Sequence, residues 1–142
     1  MDEVKIREVV EGKAAALSNG DVKALLAYYA SDVVEFSLAP PLRQLTDAQD
    51  PAPVERWLAT FDGLPRREVT RLEITVGGDV AFATSIDRLS ATPKGMSQGF
   101  TLWFRVTLGL RKVDGRWLVT HEHESVPFEM DGSFRASIGL EP

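Results

Sequence analysis

Residues 100–126 read "FTLWFRVTLGLRKVDGRWLVTHEHESV", and this stretch decides the fold. Two runs rich in β-branched and aromatic residues flank Asp114-Gly115. That dipeptide accepts the positive φ values of a tight hairpin turn, so the two runs are expected to pair as antiparallel strands. Alternation then sorts their side chains. Phe100, Leu102, Phe104, Val106, Leu108 and Leu110 form one apolar row, and Thr101, Trp103, Arg105, Thr107, Gly109 and Arg111 point the other way. On the second run, unbroken alternation puts Trp117, Val119, His121 and His123 on one face. Leu118, Thr120, Glu122 and Glu124 fall on the opposite face.

A two-residue turn makes paired positions sum to 229, with Leu108 across from His121. One irregularity makes the sum 228 and sets Arg105 across from His123 and Thr107 across from His121. The second register is favoured, because it gathers Trp103, Arg105, Thr107, His121 and His123 on one face.

Upstream, "REVTRLEITV" (67–76) and "DVAFATSIDRLSA" (79–91) form another expected hairpin around Gly77-Gly78. The first half of the chain reads as helical. Val4, Ile6, Val9, Val10, Lys13, Ala14 and Leu17 make a stripe at helical spacing after a cap at Asp2. Asn19-Gly20 ends that helix, and Asp21 caps a second one through Leu25, Leu26, Tyr28 and Tyr29. "DVVEFSLA" (32–39) is a short strand, and Asp50-Pro51 opens a third helix carrying Trp57 and Phe61 and ending at Gly63. Three helices followed by a long antiparallel meander predict an α+β fold, with the helices on one face of a curved sheet.

The chain has 142 residues, which suits a single domain over 1–142. A net charge of -5 and scattered basic residues argue against a nucleic-acid surface. With no cysteine, disulfides, thiolate metal sites and a thiol nucleophile are excluded. The N-terminus lacks the basic start and apolar core of a signal peptide, and no apolar run approaches a bilayer's width. A cytoplasmic protein that engages neither membrane nor nucleic acid is the expectation. No phosphate loop, dinucleotide fingerprint or nucleophile elbow occurs, so no cofactor is expected.

The stretches "NGDVKALLAYYASDVV", "FSLAPPL", "GGDVAFATS" and "RKVDGRWLVTHEHESVPF" resemble the SnoaL-like branch of the NTF2-like superfamily. Ketosteroid isomerases, polyketide cyclases and the association domain of calmodulin-dependent kinase II belong to that superfamily. The resemblance implies a cone-shaped α+β barrel with a deep pocket, commonly dimerising through the outer sheet face. It also places the isomerase base near Ser37, its tyrosine near Lys13 and its aspartic acid near Thr107, so those three groups are missing here. Frame and activity are separable in such a fold.

The candidate site follows from the face assignment. His121 and His123 are candidate proton carriers, since an imidazole in a half-wet pocket titrates near neutrality. Arg105 is a candidate anion clamp, with Asp87 as its ion-pair partner. A metal would need a third ligand beyond the two imidazoles, with Asp87 and Glu35 nearest, and none is expected. Tyr28, Trp57, Phe61, Trp103, Thr107 and Ser37 are candidate ligand contacts, and Glu35 is a fallback base. If the polar face lines the pocket, the Phe100–Leu110 row lies outside and needs a cover, so a homodimer is expected. The function expected is a small-molecule pocket protein for an apolar ligand, an isomerase or cyclase acting on a carbonyl compound. The alternative is a non-catalytic ligand-binding or association module.

Overall fold

The computed structural model describes residues 1–45 and 47–142. In chain order the elements are α1 (Asp2–Ser18), α2 (Val22–Leu26), β1 (Tyr29–Phe36), α3 (Ala52–Leu58), β2 (Arg66–Gly77), β3 (Val80–Ala91), β4 (Phe100–Val113) and β5 (Arg116–Ser125). The strands form one sheet in the order β1-β5-β4-β3-β2. Three junctions are antiparallel, and β1 runs parallel to β5. The architecture is the expected α+β arrangement.

Several local signals act as read. The Asp21 carboxylate accepts from the Ala24 N–H at 3.1 Å and starts α2. Asp114 and Gly115 both take positive φ, 51° and 80°, as the tight turn requires. Others shift. Asp2 does not cap α1; Met1 stands at that position. The Asp2 carboxylate instead accepts from Trp117 Nε1 at 3.0 Å and Lys112 Nζ at 3.2 Å, tying α1 to the β4–β5 hairpin. Helix α2 stops at Leu26, and Tyr29 opens β1 rather than continuing the helix. Helix α3 ends at Leu58, before Phe61. The β2–β3 turn sits at Gly78-Asp79, one residue later than expected, because Gly77 still pairs with Val80.

The decisive difference lies in β5. From the turn, Val113 pairs with Arg116 and Leu110 with Val119, so positions sum to 229. Between Val119 and His121 an extra residue, Thr120, enters the strand. Beyond it Gly109 pairs with His121, Leu108 with Glu122 and Thr107 with His123, and the sum is 230. The favoured sum of 228 is therefore wrong; the side chains it gathered do share one face, with Thr107 across from His123, but that face is the outer one and not the wall of a pocket. A bulge inserts one residue and reverses the alternation that follows. Trp117 and Val119 share their face with Glu122 and Glu124, while His121 and His123 turn to the other side.

The apolar row of β4 is consequently inside. Phe104, Val106, Leu108 and Leu110 are buried with Ile6 and Val10 of α1, Trp117 and Val119 of β5, and Ala81 and Ala83 of β3. The expectation that this row lies on the outer face fails, because α1 is the cover. Burying such side chains contributes roughly 1.5–3 kcal/mol each relative to exposure, which makes this layer the main source of stability.

Candidate active site: an acidic cavity under the helices

The inner sheet face, α1–α3 and the segment after β1 enclose a cavity of about 370 Å³. Its apolar wall includes Leu17, Leu25, Val54, Trp57, Leu89 and Phe104. Its polar groups come mainly from strands: Tyr29, Glu35 and Ser37 at β1, Arg67 of β2, and Glu122 and Glu124 of β5. Asp47 and Asp50, both exposed, form part of its rim. The bulge at Thr120 is what turns the two β5 carboxylates into this space.

Two ion-paired networks make the floor. In the first, Lys13 Nζ of α1 lies 2.6 Å from Glu122 Oε2 and donates to Tyr29 Oη at 3.0 Å. Tyr29 Oη in turn donates to Glu122 Oε2 at 3.0 Å. In the second, Arg67 reaches Asp87 Oδ2 at 2.9 Å and Glu124 Oε2 at 3.0 Å, and its guanidinium lies over Phe104, 5.1 Å from the ring centroid. Ser85 donates to the other Asp87 oxygen at 2.7 Å. Among the described residues no buried side-chain nitrogen or oxygen lacks a partner. Satisfied networks of this kind hold their members in one geometry.

The titration of each group follows from its place. Burial would raise Glu122, but Lys13, Arg67 and its hydrogen bonds outweigh burial and hold it below the usual carboxylate range. Burial also drives Glu124 up, helped by the Glu122 charge and opposed by Arg67. Burial and the same charge push the Tyr29 hydroxyl well up, so it stays protonated as a donor. Glu35 pairs along the sheet with Glu122, and no described group hydrogen-bonds to its carboxylate. Burial first, then the Glu122 charge, raises Glu35 to about 7.

The other residues singled out from sequence divide by face. Glu35, Ser37 and Trp57 line the cavity. Asp87 lies beneath it, bound to Arg67; its expected pairing with Arg105 does not form. Arg105 is exposed on the outer sheet face and donates from Nε to Ser125 Oγ at 3.2 Å. His121 and His123 are also on that face, edge-on to Phe36 with ring centroids 5.0 and 5.5 Å away. His121 donates from Nδ1 to the Val34 carbonyl at 2.7 Å. Thr107 lies across from His123, and the guanidinium of Arg88 sits 5.6 Å from the Trp103 ring centroid. Tyr28 packs its hydroxyl against Gly12, and Phe61 is buried where its backbone bridges to Pro93. Neither lines the cavity. Among the described residues, no group of three or more acidic or imidazole side chains is arranged to hold a metal.

Sequence reasoning missed Tyr29, Arg67, Glu122 and Glu124 as site groups. One signal was available: Lys13 interrupts an otherwise apolar helix stripe, and a buried lysine requires a buried carboxylate opposite it.

The SnoaL-like domain family matches residues 6–129 of the chain. The chain belongs to the SnoaL-like domain family. Solved structures agree on the frame. An NTF2-like protein of unknown function from Pseudomonas putida KT2440 is 29% identical, with 99% of this chain and 96% of that one covered and a TM-score of 0.85. A candidate scytalone dehydratase from Novosphingobium aromaticivorans DSM 12444 is 19% identical over 99% and 95% of the two chains, with a TM-score of 0.78. A candidate calcium/calmodulin-dependent protein kinase II association domain from Xanthomonas campestris is 21% identical over 84% of each chain, with a TM-score of 0.71. A comparison with curated proteins finds no match. The SnoaL-like chain is thus an NTF2-like α+β cone, with the cavity at the place where helices and sheet part.

Proposed function

We propose that this SnoaL-like protein is a small-molecule enzyme that moves a proton on an apolar carbonyl compound, in the manner of an isomerase, cyclase or dehydratase. Glu35 is the group that takes the proton. The observation that carries this reading is Glu35, a half-buried carboxylate of the cavity wall that no described group hydrogen-bonds and that burial raises to about 7. A base is most effective when its pKa lies near the working pH, and burial is the usual way to bring a glutamate there. Glu124, on the same face and also raised, supplies an acid beside it. The name of the dehydratase neighbour supports the class without fixing the substrate. The isomerase positions near Lys13, Ser37 and Thr107 remain without their usual groups, so the steroid reaction is not part of the proposal.

The test uses 2-indanone, a compact ketone with labile α-protons, in D₂O. Wild-type protein is expected to accelerate deuterium uptake at the α-carbon, read by NMR, with a rate that rises through pH 7. Glu35→Gln should lose the acceleration, and His123→Ala should keep it. Uptake that survives Glu35→Gln and disappears in His123→Ala would transfer the role to the outer face.

A second reading, a module that associates with its own copies, has support from the outer sheet face. Val80 and Phe82 are more than half exposed there, Val80 beside Arg111 and Phe82 level with Gly109 and His121. We infer a homodimer on this ground, and it is compatible with the enzyme reading.

A further inference from the structure

The charge inventory of the cavity says what kind of compound belongs in it. Five carboxyl groups line the space: Glu35, Asp47, Asp50, Glu122 and Glu124. Arg67 is the one cation among the described lining residues. It has no charge to spare, because Asp87 and Glu124 occupy its guanidinium and Phe104 covers its face. Lys13, behind the wall, is likewise committed to Glu122 and Tyr29. Glu122 and Asp87 between them balance these two cations. Glu124 is held by Arg67, so Glu35 is the carboxylate in excess inside, and Asp47 and Asp50 add to the excess at the rim.

Each rim aspartate spends one oxygen on a local backbone bond. Asp47 accepts from the Gln49 N–H at 2.9 Å and Asp50 from the Ala52 N–H at 3.0 Å. No hydrogen bond from a described residue reaches their second oxygens. The rest of the wall is mainly apolar, with the rings of Trp57 and Phe104 in it and Tyr29, Ser37 and Gln44 as its neutral polar groups. Aromatic faces attract cations, and a low-dielectric wall strengthens the field of the carboxylates.

We propose that the compound bound here is a small organic cation, an apolar body carrying a protonated amine. The ammonium group is held by the rim and wall carboxylates. A carboxylate or phosphate ester meets no uncommitted cation among the described lining residues and is rejected by the surplus charge. A neutral compound leaves that charge unbalanced. This inference rests on the pocket reading above and narrows its substrate to a carbonyl compound that also bears an amine.

Three probes of nearly equal size separate the outcomes: cyclohexylmethylamine, cyclohexylmethanol and cyclohexanecarboxylate. Each is titrated by calorimetry into the full chain in low salt at about pH 8, where Glu35 is ionised. The amine is expected to bind at least about tenfold more tightly than the alcohol, with the carboxylate weakest. In the triple variant Glu35→Gln, Asp47→Asn, Asp50→Asn the preference should vanish while the alcohol still binds; the substitutions keep shape and local acceptors. Equal binding of amine and alcohol in the wild type overturns the cation inference and leaves the pocket reading intact. A preference that persists in the triple variant places the amine elsewhere and also overturns it. Failure of all three probes at about 10 mM overturns both readings, since even millimolar binding needs little contact energy.

Discussion

Lys13 and Glu35 are two charged side chains from opposite walls of the same fold, and their environments treat them differently. Lys13 is buried on a contact with Glu122. Removing it strands a carboxylate inside, so Lys13→Met is expected to cost about 3–5 kcal/mol in urea unfolding. The double variant Lys13→Met, Glu122→Leu should recover much of that loss, because an apolar pair of similar volume replaces two desolvated charges. A double variant no better than the single one would mean that the pair stabilises in its own right. Glu35 has the opposite sign of effect. Its folded pKa, about 7, lies above the ordinary carboxylate value, so the folded state binds its proton more tightly than the unfolded chain. Stability from this group is complete below about pH 4 and is lost as pH rises towards 7. Glu35→Gln should therefore raise the melting temperature at pH 8 and leave it nearly unchanged at pH 4. The gain at pH 8 is about 1 kcal/mol once screening by solvent is allowed for.

At the scale of elements, β5 carries the result. The hairpin with β4 was legible, because Asp114-Gly115 and two alternating runs admit few other pairings. The stripe on α1 and the cap at Asp21 were legible for similar local reasons. The face of His121 was not. Nothing about Thr120 marks it as an extra residue, since threonine suits a regular strand well. The signal is non-local: Lys13 on α1 needs a carboxylate, and only the bulged register turns Glu122 towards it. The end of α2 was missed for a related reason, as Tyr29 has a helix-compatible spacing but its hydroxyl reaches Glu122 only from a strand. Deleting Thr120 should restore unbroken alternation and drive His121 and His123 inward. Loss of cooperative melting and of near-ultraviolet circular dichroism is expected; a deletion variant that melts like the wild type would mean that the bulge has no part in setting the faces. Leu108→Ala, in the layer beneath α1, is expected to cost about 2–5 kcal/mol without altering the register.

For the whole molecule, the expected dimer stands on a different footing from the one the sequence suggested. The β4 row that was thought to need a twin is covered by the chain's own first helix. What the outer face offers instead is smaller: Val80 and Phe82, 57% and 52% exposed, near the Phe36–imidazole cluster. Sedimentation at micromolar concentration should give twice the chain mass, and Phe82→Glu should return the monomer without changing the cavity. A wild-type monomer would remove the association reading and leave the pocket untouched.

The parallel junction of β1 with β5 has a consequence for synthesis. Glu35 and Glu122 become neighbours only when an early strand receives the last one as its partner. On the ribosome, α1 and β1 emerge long before that partner exists, so the oily flank of α1 and the open rim of β1 must wait in water. Pairings so distant along the chain form slowly. The cavity is thus completed only when β5 joins the sheet. A chain truncated before Arg116 would lack it altogether and would be a natural client for a chaperone.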